Sequence, residues 1–424
     1  MKTAILLAAS ERRENAVKKW ITWMLFAGLL LGCCRGAAES ADLNIPDMAA
    51  YAACVNRLAV EYGVPCILWD CSIHVNRRML TVNYPPYIDA IMGCYPARTD
   101  PGNGGDDGAF EEESAREAAD RFGPGFNLGN TLDATSYSIG QERDGTVGWI
   151  VQWGRKDADG RVYPDAWETA WGQPETDQAI ADYIISLGFN VIRVPVTWAE
   201  HMDEQNRIDG RWMARVKETV DYFYGRGVYV ILNMHHDGGA DGWIEATEES
   251  FQAYGDRFAA GWTQIAEAFE GYDERLLFES MNEVLDGNNN WNAPGPEAAR
   301  WINAWNQLFV DTVRATGGNN ARRNLILMTY SGGGSEANFS LFRLPEDPGQ
   351  TMNHLMITVH NYDPQSFTWT NATWTKMTAR WNEEAHGGLL RREFELYKKY
   401  ADTFGVPVVL GEYNADPKKY ADYD

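Results

Sequence analysis

Positive charge is scarce in this chain. Its 424 residues carry 37 Lys and Arg against 60 Asp and Glu, a formal net charge of −23. Neutralising phosphates needs clustered Lys and Arg, so nucleic acid is excluded as a partner. Cysteine is missing from everything beyond Cys94: the six lie at 33, 34, 54, 66, 71 and 94. None has zinc-site spacing. Histidine is also sparse, with 7 residues and no H-E-x-x-H arrangement, which excludes that zinc-hydrolase motif. No apolar run is long enough to cross a bilayer comfortably, since the run Trp20 to Leu31 stops short.

That short run has a use of its own. Lys18 and Lys19 precede it and small residues follow, so residues 1–36 are expected to be an export signal. Leu30-Leu31-Gly32-Cys33 is also similar to a bacterial lipoprotein cleavage site, which makes Cys33 a candidate lipid anchor beside plain secretion. Either route makes the protein secreted or extracellular-facing. Export permits disulfides, and Cys54–Cys94 and Cys66–Cys71 are candidate pairs, with free thiols equally open.

What is present is a globular composition. With 45% hydrophobic residues, 17 Trp and 20 Tyr, the chain can bury a large core, and it is expected to hold one catalytic domain and to be a monomer. Flat amphipathic rings suit stacking on sugar faces as well as core packing. Met48, Tyr51, Ala52, Val55, Leu58 and Ala59 recur at helical spacing behind a candidate cap, Asp47, and Gly63 ends the helix. Val64 to Trp69 reads as a short buried strand, and about 86 to 92 as another helix. The Gly- and Asp-rich stretch within 95–109 has linker composition.

From about residue 110 helix and strand alternate regularly, which implies an α/β fold with a parallel sheet. Strand candidates are 125–128, 189–194, 228–233, 276–281, 325–329, 355–360 and 406–411, with helices near 175–187, 212–225, 249–270, 295–315 and 388–404. Two of these strands run into a glutamate: Leu276 to Glu283, and Val406 to Glu412. The carboxyl ends of parallel barrel strands are where such barrels open, and two carboxyl groups about 5 Å apart suffice for retaining glycoside hydrolysis. The chain ends about a dozen residues after Glu412, too soon to complete eight strands. The run 64–69 would supply the eighth, arriving first instead of last.

The motifs Gly125-Phe-Asn-Leu-Gly-Asn-Thr-Leu-Asp-Ala134, Glu168-Thr-Ala-Trp-Gly172, Gly188-Phe-Asn-Val-Ile-Arg-Val-Pro-Val-Thr-Trp198, Asn233-Met-His-His-Asp237, Phe278-Glu-Ser-Met-Asn-Glu283, His360-Asn-Tyr362 and Leu410-Gly-Glu412 occur in that order. Together they resemble family 5 glycoside hydrolases, the cellulase family. Residues 45–94, with Tyr62-Gly-Val-Pro-Cys-Ile-Leu-Trp-Asp70, resemble the end of that family's pattern. The expectation is therefore a circularly permuted (β/α)₈ TIM barrel: 45–94 closes it, 95–109 links the former ends, and 110–424 supplies strands one to seven. A fused gene fragment is the competing reading. In a closed barrel the first and last strands are neighbours, so a short linker can join them.

The resemblance implies Glu283 as general acid/base and Glu412 as nucleophile. It implies Asn282 on a sugar 2-hydroxyl, Tyr362 donating to Glu412, and His235, His236 and His360 as substrate contacts. Arg193 shares side-chain parity with Val191, which points it into the barrel, where it would keep Glu412 ionised. Glu279, of the same parity as Glu283, reads as a structural partner lower in the barrel. Trp69 is similar to the strand-eight aromatic under the sugar beside the scissile bond, and Asn127 is expected to line the site. Trp198, Trp243 and Trp291 are candidates for further subsites. Adjacent strand residues face opposite sides, so His235 and His236 are not expected to chelate one metal. Asp157-Ala-Asp-Gly160 lacks most calcium-loop ligands and reads as a solvated turn. No cofactor is expected. The implied activity is a retaining endo-β-1,4-glucanase acting on a polysaccharide, with xyloglucanase, lichenase, β-mannanase or a non-catalytic glucan-binding relic as alternatives.

Overall fold

Short runs of Val, Ile, Leu and Phe, each followed by a helix, build the sheet. The computed structural model describes residues 42–96, 110–135, 164–240 and 242–423. The expected export signal with Cys33, most of the 95–109 linker and the Asp157–Gly160 turn lie outside the described residues. Asn44–Asp424 form one compact unit.

The strands are β1 (Cys66–Asp70), β2 (Val75–Asn76), β3 (Thr81–Val82), β4 (Gly125–Leu128), β5 (Val191–Val194), β6 (Tyr229–Asn233), β7 (Leu276–Glu279), β8 (Leu325–Met328), β9 (Leu355–His360) and β10 (Val408–Tyr413). The longer helices are α1 (Ile45–Tyr62), α2 (Pro85–Met92), α3 (Ala115–Arg121), α4 (Gln178–Ser186), α5 (Gly210–Tyr224), α6 (Glu248–Ala268), α7 (Pro296–Ala315), α8 (Glu336–Leu341) and α9 (Gly388–Phe404). Among the described residues no helix is long and apolar enough to cross a membrane.

Eight strands close into one parallel barrel in the order β1-β10-β9-β8-β7-β6-β5-β4, while β2 and β3 form a small separate ribbon. β1 is the keystone. It pairs in parallel with β10 on one side (Cys66 with Leu410) and with β4 on the other (Ile67 with Gly125, Trp69 with Asn127). The strand nearest the front of the chain thus sits between the last strand and the first strand of the alternating region, which is a permuted TIM barrel. Asn44 and Lys418 adjoin at this seam: the Asn44 backbone N–H donates to the Lys418 carbonyl at 2.8 Å, and Asn44 Oδ1 accepts from the Lys418 N–H at 2.7 Å.

Strand alternation sorts the core into two layers. Ile67, Val191, Tyr229, Ile231, Leu277, Ile326, Met356 and Val409 face inward and meet Ala115, Ala118 and Ala119 of α3 with Phe122, which close the bottom of the barrel. Leu68, Phe126, Ile192, Leu232, Phe278, Leu327, Ile357 and Leu410 face the surrounding helices.

Two local expectations need correction. Asp47 is not the cap of α1, because the helix begins at Ile45 with a proline in its first turn; Asp47 instead accepts from the Trp381 N–H at 2.7 Å. Neither candidate disulfide is formed, and the thiols of Cys54, Cys66 and Cys94 are free. Cys66 opens β1 and Cys71 follows its last residue, about 16 Å apart along an extended strand, beyond the reach of a disulfide. Cys94 Sγ donates to the Ala90 carbonyl at 3.2 Å, within its own helical turn.

Candidate active site

At the carboxyl end of the barrel the inward positions change from aliphatic to polar. Arg193 on β5 is the centre of this layer and is fully buried. Its Nε donates to Glu279 Oε2 at 2.6 Å, Nη1 to Glu412 Oε1 at 2.8 Å and to Asn127 Oδ1 at 3.0 Å, and Nη2 to Asn282 Oδ1 at 2.8 Å. Burial opposes the guanidinium charge, but Glu279 and Glu412 outweigh it and raise the pKa. A buried arginine without these partners would be costly, so the network is mutually enforcing.

Glu412 reaches this cation through a break in strand alternation. Val409 points inward, so regular alternation would send Glu412 out to the helices. The register shifts between Leu410 and Glu412 against β9, and between Cys66 and Leu68 against the same region of β10. This bulge adds one residue, turning Glu412 into the barrel and Tyr413 out to α1, where its hydroxyl accepts from Asn56 Nδ2 at 3.0 Å. Gly411 permits the bulge: a Cβ there would lie 2.5 Å from Thr358 Oγ1. Its carbonyl accepts from Asn127 Nδ2 at 2.9 Å. Asn127 is fully buried with both ends of its amide engaged, so it holds Arg193 and the bulge from beneath the cleft.

Glu283 is placed differently. β7 ends at Glu279, and the chain turns so that Glu283 adopts φ +47°, a conformation costing on the order of 1–2 kcal/mol for an L residue. Neighbouring backbone fixes it. A Cβ on Gly238 would lie 2.1 Å from the Asn282 carbonyl oxygen, and the Ser331 N–H donates to the Val284 carbonyl at 3.0 Å. Strain held by its surroundings in this way is common where a side chain has a task.

His360, the last residue of β9, joins the two carboxylates. Its Nδ1 is 2.8 Å from Glu283 Oε1 and 3.6 Å from Glu412 Oε2. Burial lowers the imidazole pKa, yet Glu412 and Glu283 more than compensate and it is raised. Tyr362 donates its hydroxyl to Glu412 Oε2 at 2.7 Å; burial first, then Glu412 and Glu283, push its pKa well up, so it remains a donor. Burial raises the Glu412 pKa, with Glu283 adding to it, while His360, Arg193 and Tyr362 oppose the rise. Glu283, His360 and Glu412 each offer an atom within 4.8 Å of the others. The side chain of Glu412 is 6% exposed and that of Glu283 23%, so one carboxylate is enclosed by donors and the other meets the cleft.

On the opposite bank, Trp69 from β1 stacks on His235, ring centroids 5.4 Å apart and planes 9° from parallel. Beyond lie His236, 3.7 Å from Asp133 Oδ2, and Trp171, edge-on to His236 at 5.3 Å. The two histidines do not diverge as strand neighbours would, because β6 ends at Asn233 and their rings meet edge to face at 4.6 Å.

Asp133, His235 and His236 could by spacing alone hold a metal, their ligand atoms lying within 4.8 Å. The hydrogen bonding of His235 argues otherwise. Asn233 Oδ1 accepts from the Val196 N–H and its Nδ2 faces Glu279, so the same Nδ2 donates to His235 Nδ1 at 3.1 Å. Burial, with His236, Arg193 and His360, pushes the His235 pKa well down. A neutral ring that accepts at Nδ1 carries its proton on Nε2 and offers a donor, not a metal lone pair. At the carboxylates, Arg193 already supplies the cation a metal would bring.

The other tryptophans divide. Trp198 is fully buried with Nε1 on the Asn233 carbonyl at 2.8 Å, so it belongs to the core and not to a subsite. Trp243 is half-buried and donates to Asp237 at 2.7 Å; Trp291 is exposed. Sequence reasoning missed the ladder Tyr362–Trp369–Trp374, with centroid steps of 6.3 and 5.3 Å and an exposed outer ring. Its members lie in an irregular segment without a repeating pattern. Asp133 and Trp171 stood inside quoted motifs, where only their contacts reveal a use.

Comparison with known proteins agrees with this geometry. The family description "Cellulase (glycosyl hydrolase family 5)" matches residues 157–423. Endoglucanase A of Ruminococcus albus is 35% identical over 322 residues, 75% of this chain and 79% of its own length. Endoglucanase A of Clostridium longisporum is 34% identical over 72% of this chain and 54% of its own length, so this chain spans about half of that relative. Among solved structures, a family 5 glycoside hydrolase from Prevotella bryantii B14 shows 41% identity and a TM-score of 0.60 over 72% of this chain and 79% of its own. A broad-specificity endoglucanase from Ruminococcus champanellensis with bound cellotriose shows 36% identity and a TM-score of 0.62 over 74% and 84%. With that family match, the two glutamates at barrel-strand ends and the closed parallel barrel, the chain belongs to glycosyl hydrolase family 5 and is a glycan-hydrolysing enzyme.

Proposed function

We propose that this hydrolase is a retaining endo-β-1,4-glucanase in which Glu412 is the nucleophile and Glu283 the general acid/base. The carrying observation is that each carboxylate presents an oxygen within 4.8 Å of one on the other, around His360. That separation suits direct attack by one carboxylate; inverting enzymes leave room for a water, with roughly 6.5–9.5 Å between the groups. Glu412 already accepts from Arg193 and Tyr362. Protonating it would displace a donor, so the carboxylate is the form this pocket fits.

In the first step a Glu412 oxygen bonds to the anomeric carbon as the glycosidic bond breaks, and the Glu283 proton passes to the leaving oxygen. In the second, Glu283 takes a proton from water, whose oxygen displaces Glu412 from the sugar. Both carboxyl groups then regain their starting states. Asn282, oriented by Arg193, offers its amide to the sugar 2-hydroxyl, a contact that strengthens as positive charge develops on the ring. His235 Nε2–H, His236 and Trp69 would receive the sugar on the non-reducing side, and the Tyr362–Trp369–Trp374 ladder the chain beyond the scissile bond.

The glucan preference rests on relatives described as endoglucanases. Xyloglucan is the second reading, because one solved relative is a xyloglucan-specific endo-β-1,4-glucanase of 36% identity and a mutant of the Prevotella bryantii enzyme was solved with a xyloglucan oligosaccharide. Residues 45–94 and 110–424 would act as one catalytic domain joined through 95–109, with 1–36 serving export. Reducing-end release on carboxymethylcellulose, mixed-linkage glucan, xyloglucan, xylan and mannan tests the reading. Activity led by the glucans is expected; mannan or xylan as best substrate overturns the assignment, and a product of inverted anomeric configuration overturns the mechanism.

A further inference from the structure

The aromatic ladder beside the cleft stands on a segment with little regular structure, and what fixes it comes from beyond Glu412. Past β10, residues 414–423 run against residues 365–381, which carry Trp369 and Trp374. Both residues flanking Trp369 are caught. The Thr368 carbonyl accepts from the Asp416 N–H at 2.8 Å, and the Thr370 carbonyl accepts from the Tyr423 hydroxyl at 2.7 Å. Phe367, two residues before Trp369, is fully buried, and Lys418 Nζ lies 5.1 Å from its ring centroid and 5.8 Å from that of Tyr423. Lys418 is only 2% exposed, and its Nζ has no hydrogen-bond partner among the described residues. A buried ammonium is costly, and here the two ring faces and the Asp416 charge offset it.

The same run is fastened to the start of α1. Besides its two bonds to the Lys418 backbone, Asn44 donates through Nδ2 to the Ala379 carbonyl at 3.2 Å. The Tyr420 hydroxyl donates to Asp47, whose other oxygen accepts from the Trp381 N–H. Residues 44–47, 365–381 and 414–423 thus interlock, and the ladder rests on that assembly.

We propose that residues 414–423 form a strap that sets the orientation of Trp369, with Lys418 and Tyr423 as positioning residues for the sugars beyond the scissile bond. The inference rests on the ladder receiving that part of the substrate. A ring on an irregular segment binds well only if its backbone is held beforehand, since ordering it at the moment of binding costs affinity. The strap supplies that order on both sides of Trp369. Thr368 is also tied to the 362–364 turn independently of the strap, its hydroxyl donating to the Tyr362 carbonyl and its N–H to the Pro364 carbonyl at 3.0 Å. Loosening the strap should therefore disturb the ladder and leave Tyr362 on Glu412.

The test compares wild type, Tyr423→Phe, Lys418→Met, Trp369→Ala and the double variant Trp369→Ala with Tyr423→Phe, on cellohexaose and on 2,4-dinitrophenyl β-cellobioside. The aryl glycoside has no sugar beyond the scissile bond, so it reports the chemistry without the ladder. Tyr423→Phe keeps the ring beside Lys418 and removes only the hydroxyl. Each strap variant should lower kcat/KM on cellohexaose about threefold, through KM, with kcat on the aryl glycoside within about twofold of wild type. Trp369→Ala should lower kcat/KM on cellohexaose roughly tenfold or more. Adding Tyr423→Phe to Trp369→Ala should cost nothing further, because the ring that the strap orients is gone. Unchanged cellohexaose kinetics in both strap variants, equal losses on the two substrates, or additive losses in the double variant overturn the strap's role while Trp369 keeps its own effect. If Trp369→Ala is itself silent on cellohexaose, the ladder's place in the functional reading fails, and the proposal falls with it.

Discussion

β10 and β1 lie side by side in the barrel and come from opposite ends of the alternating chain, yet they serve the cleft in different ways. β10 delivers a charge. Glu412 faces inward only because a bulge at Gly411 interrupts alternation, and it is then met by Arg193 from β5, Tyr362 after β9 and, at longer range, His360. β1 delivers a surface. Trp69 follows ordinary alternation from Ile67, aligns with Asn127, and stands half-exposed against His235. A buried charge must be fixed by several partners because each lost partner leaves a desolvated ion. A stacking ring needs only orientation and open space. Errors at β10 should therefore abolish chemistry, while errors at β1 should weaken binding.

The comparison breaks most severely if the keystone is removed. Deleting residues 45–94 takes away β1 and opens the edges of β4 and β10, so cooperative unfolding should be lost in calorimetry. A folded product with wild-type Tm would show that the seam carries no stability.

At the proposed nucleophile, Glu412→Gln should lower kcat by about 10⁴-fold or more. The near-isosteric amide should leave polysaccharide binding by gel retardation intact. Near-normal turnover would remove Glu412 from the role.

Gly411→Ala tests the bulge itself. The added methyl meets Thr358 Oγ1 at 2.5 Å. A displacement of about 1 Å at Glu412 should reduce kcat roughly a hundredfold with KM little affected. Restoration of activity by Gly411→Ala combined with Thr358→Ala would identify that contact as the cause.

On the β1 side, Trp69→Ala removes one face of the cleft. Losing the burial of such a ring is worth about 1.5–3 kcal/mol, or roughly ten- to hundredfold in kcat/KM, measured on cellohexaose. His236→Ala, at the half-exposed edge beside Asp133, should be smallest, about two- to fivefold and confined to KM.

Much of this site was legible in the chain. The two carboxylates ended apolar runs, and Arg193 was placed inside the barrel by its parity with Val191. Parity failed in two places, for one reason: the strand had ended or bulged. His235 and His236 lie past the end of β6, so they converge instead of facing apart. Glu412 faces inward against its own strand's alternation. Gly411 was the available sign, since a glycine inside a strand often marks a bulge. Trp198 is a candidate subsite aromatic by sequence, yet its indole N–H is satisfied by the Asn233 carbonyl inside the core.

The sequence by itself determined the alternation of strand and helix, the missing eighth strand and its place at the front of the chain, and the identities of the paired glutamates. These are local properties, carried by hydrophobic period and by residues adjacent in the chain. Tertiary structure alone decided which way Glu412 points, which tautomer His235 holds, and that Glu393 meets Asn361 beside Tyr362. Each of these depends on contacts between residues distant in sequence, and the energy of a buried charge is set by what encloses it, not by its neighbours along the chain.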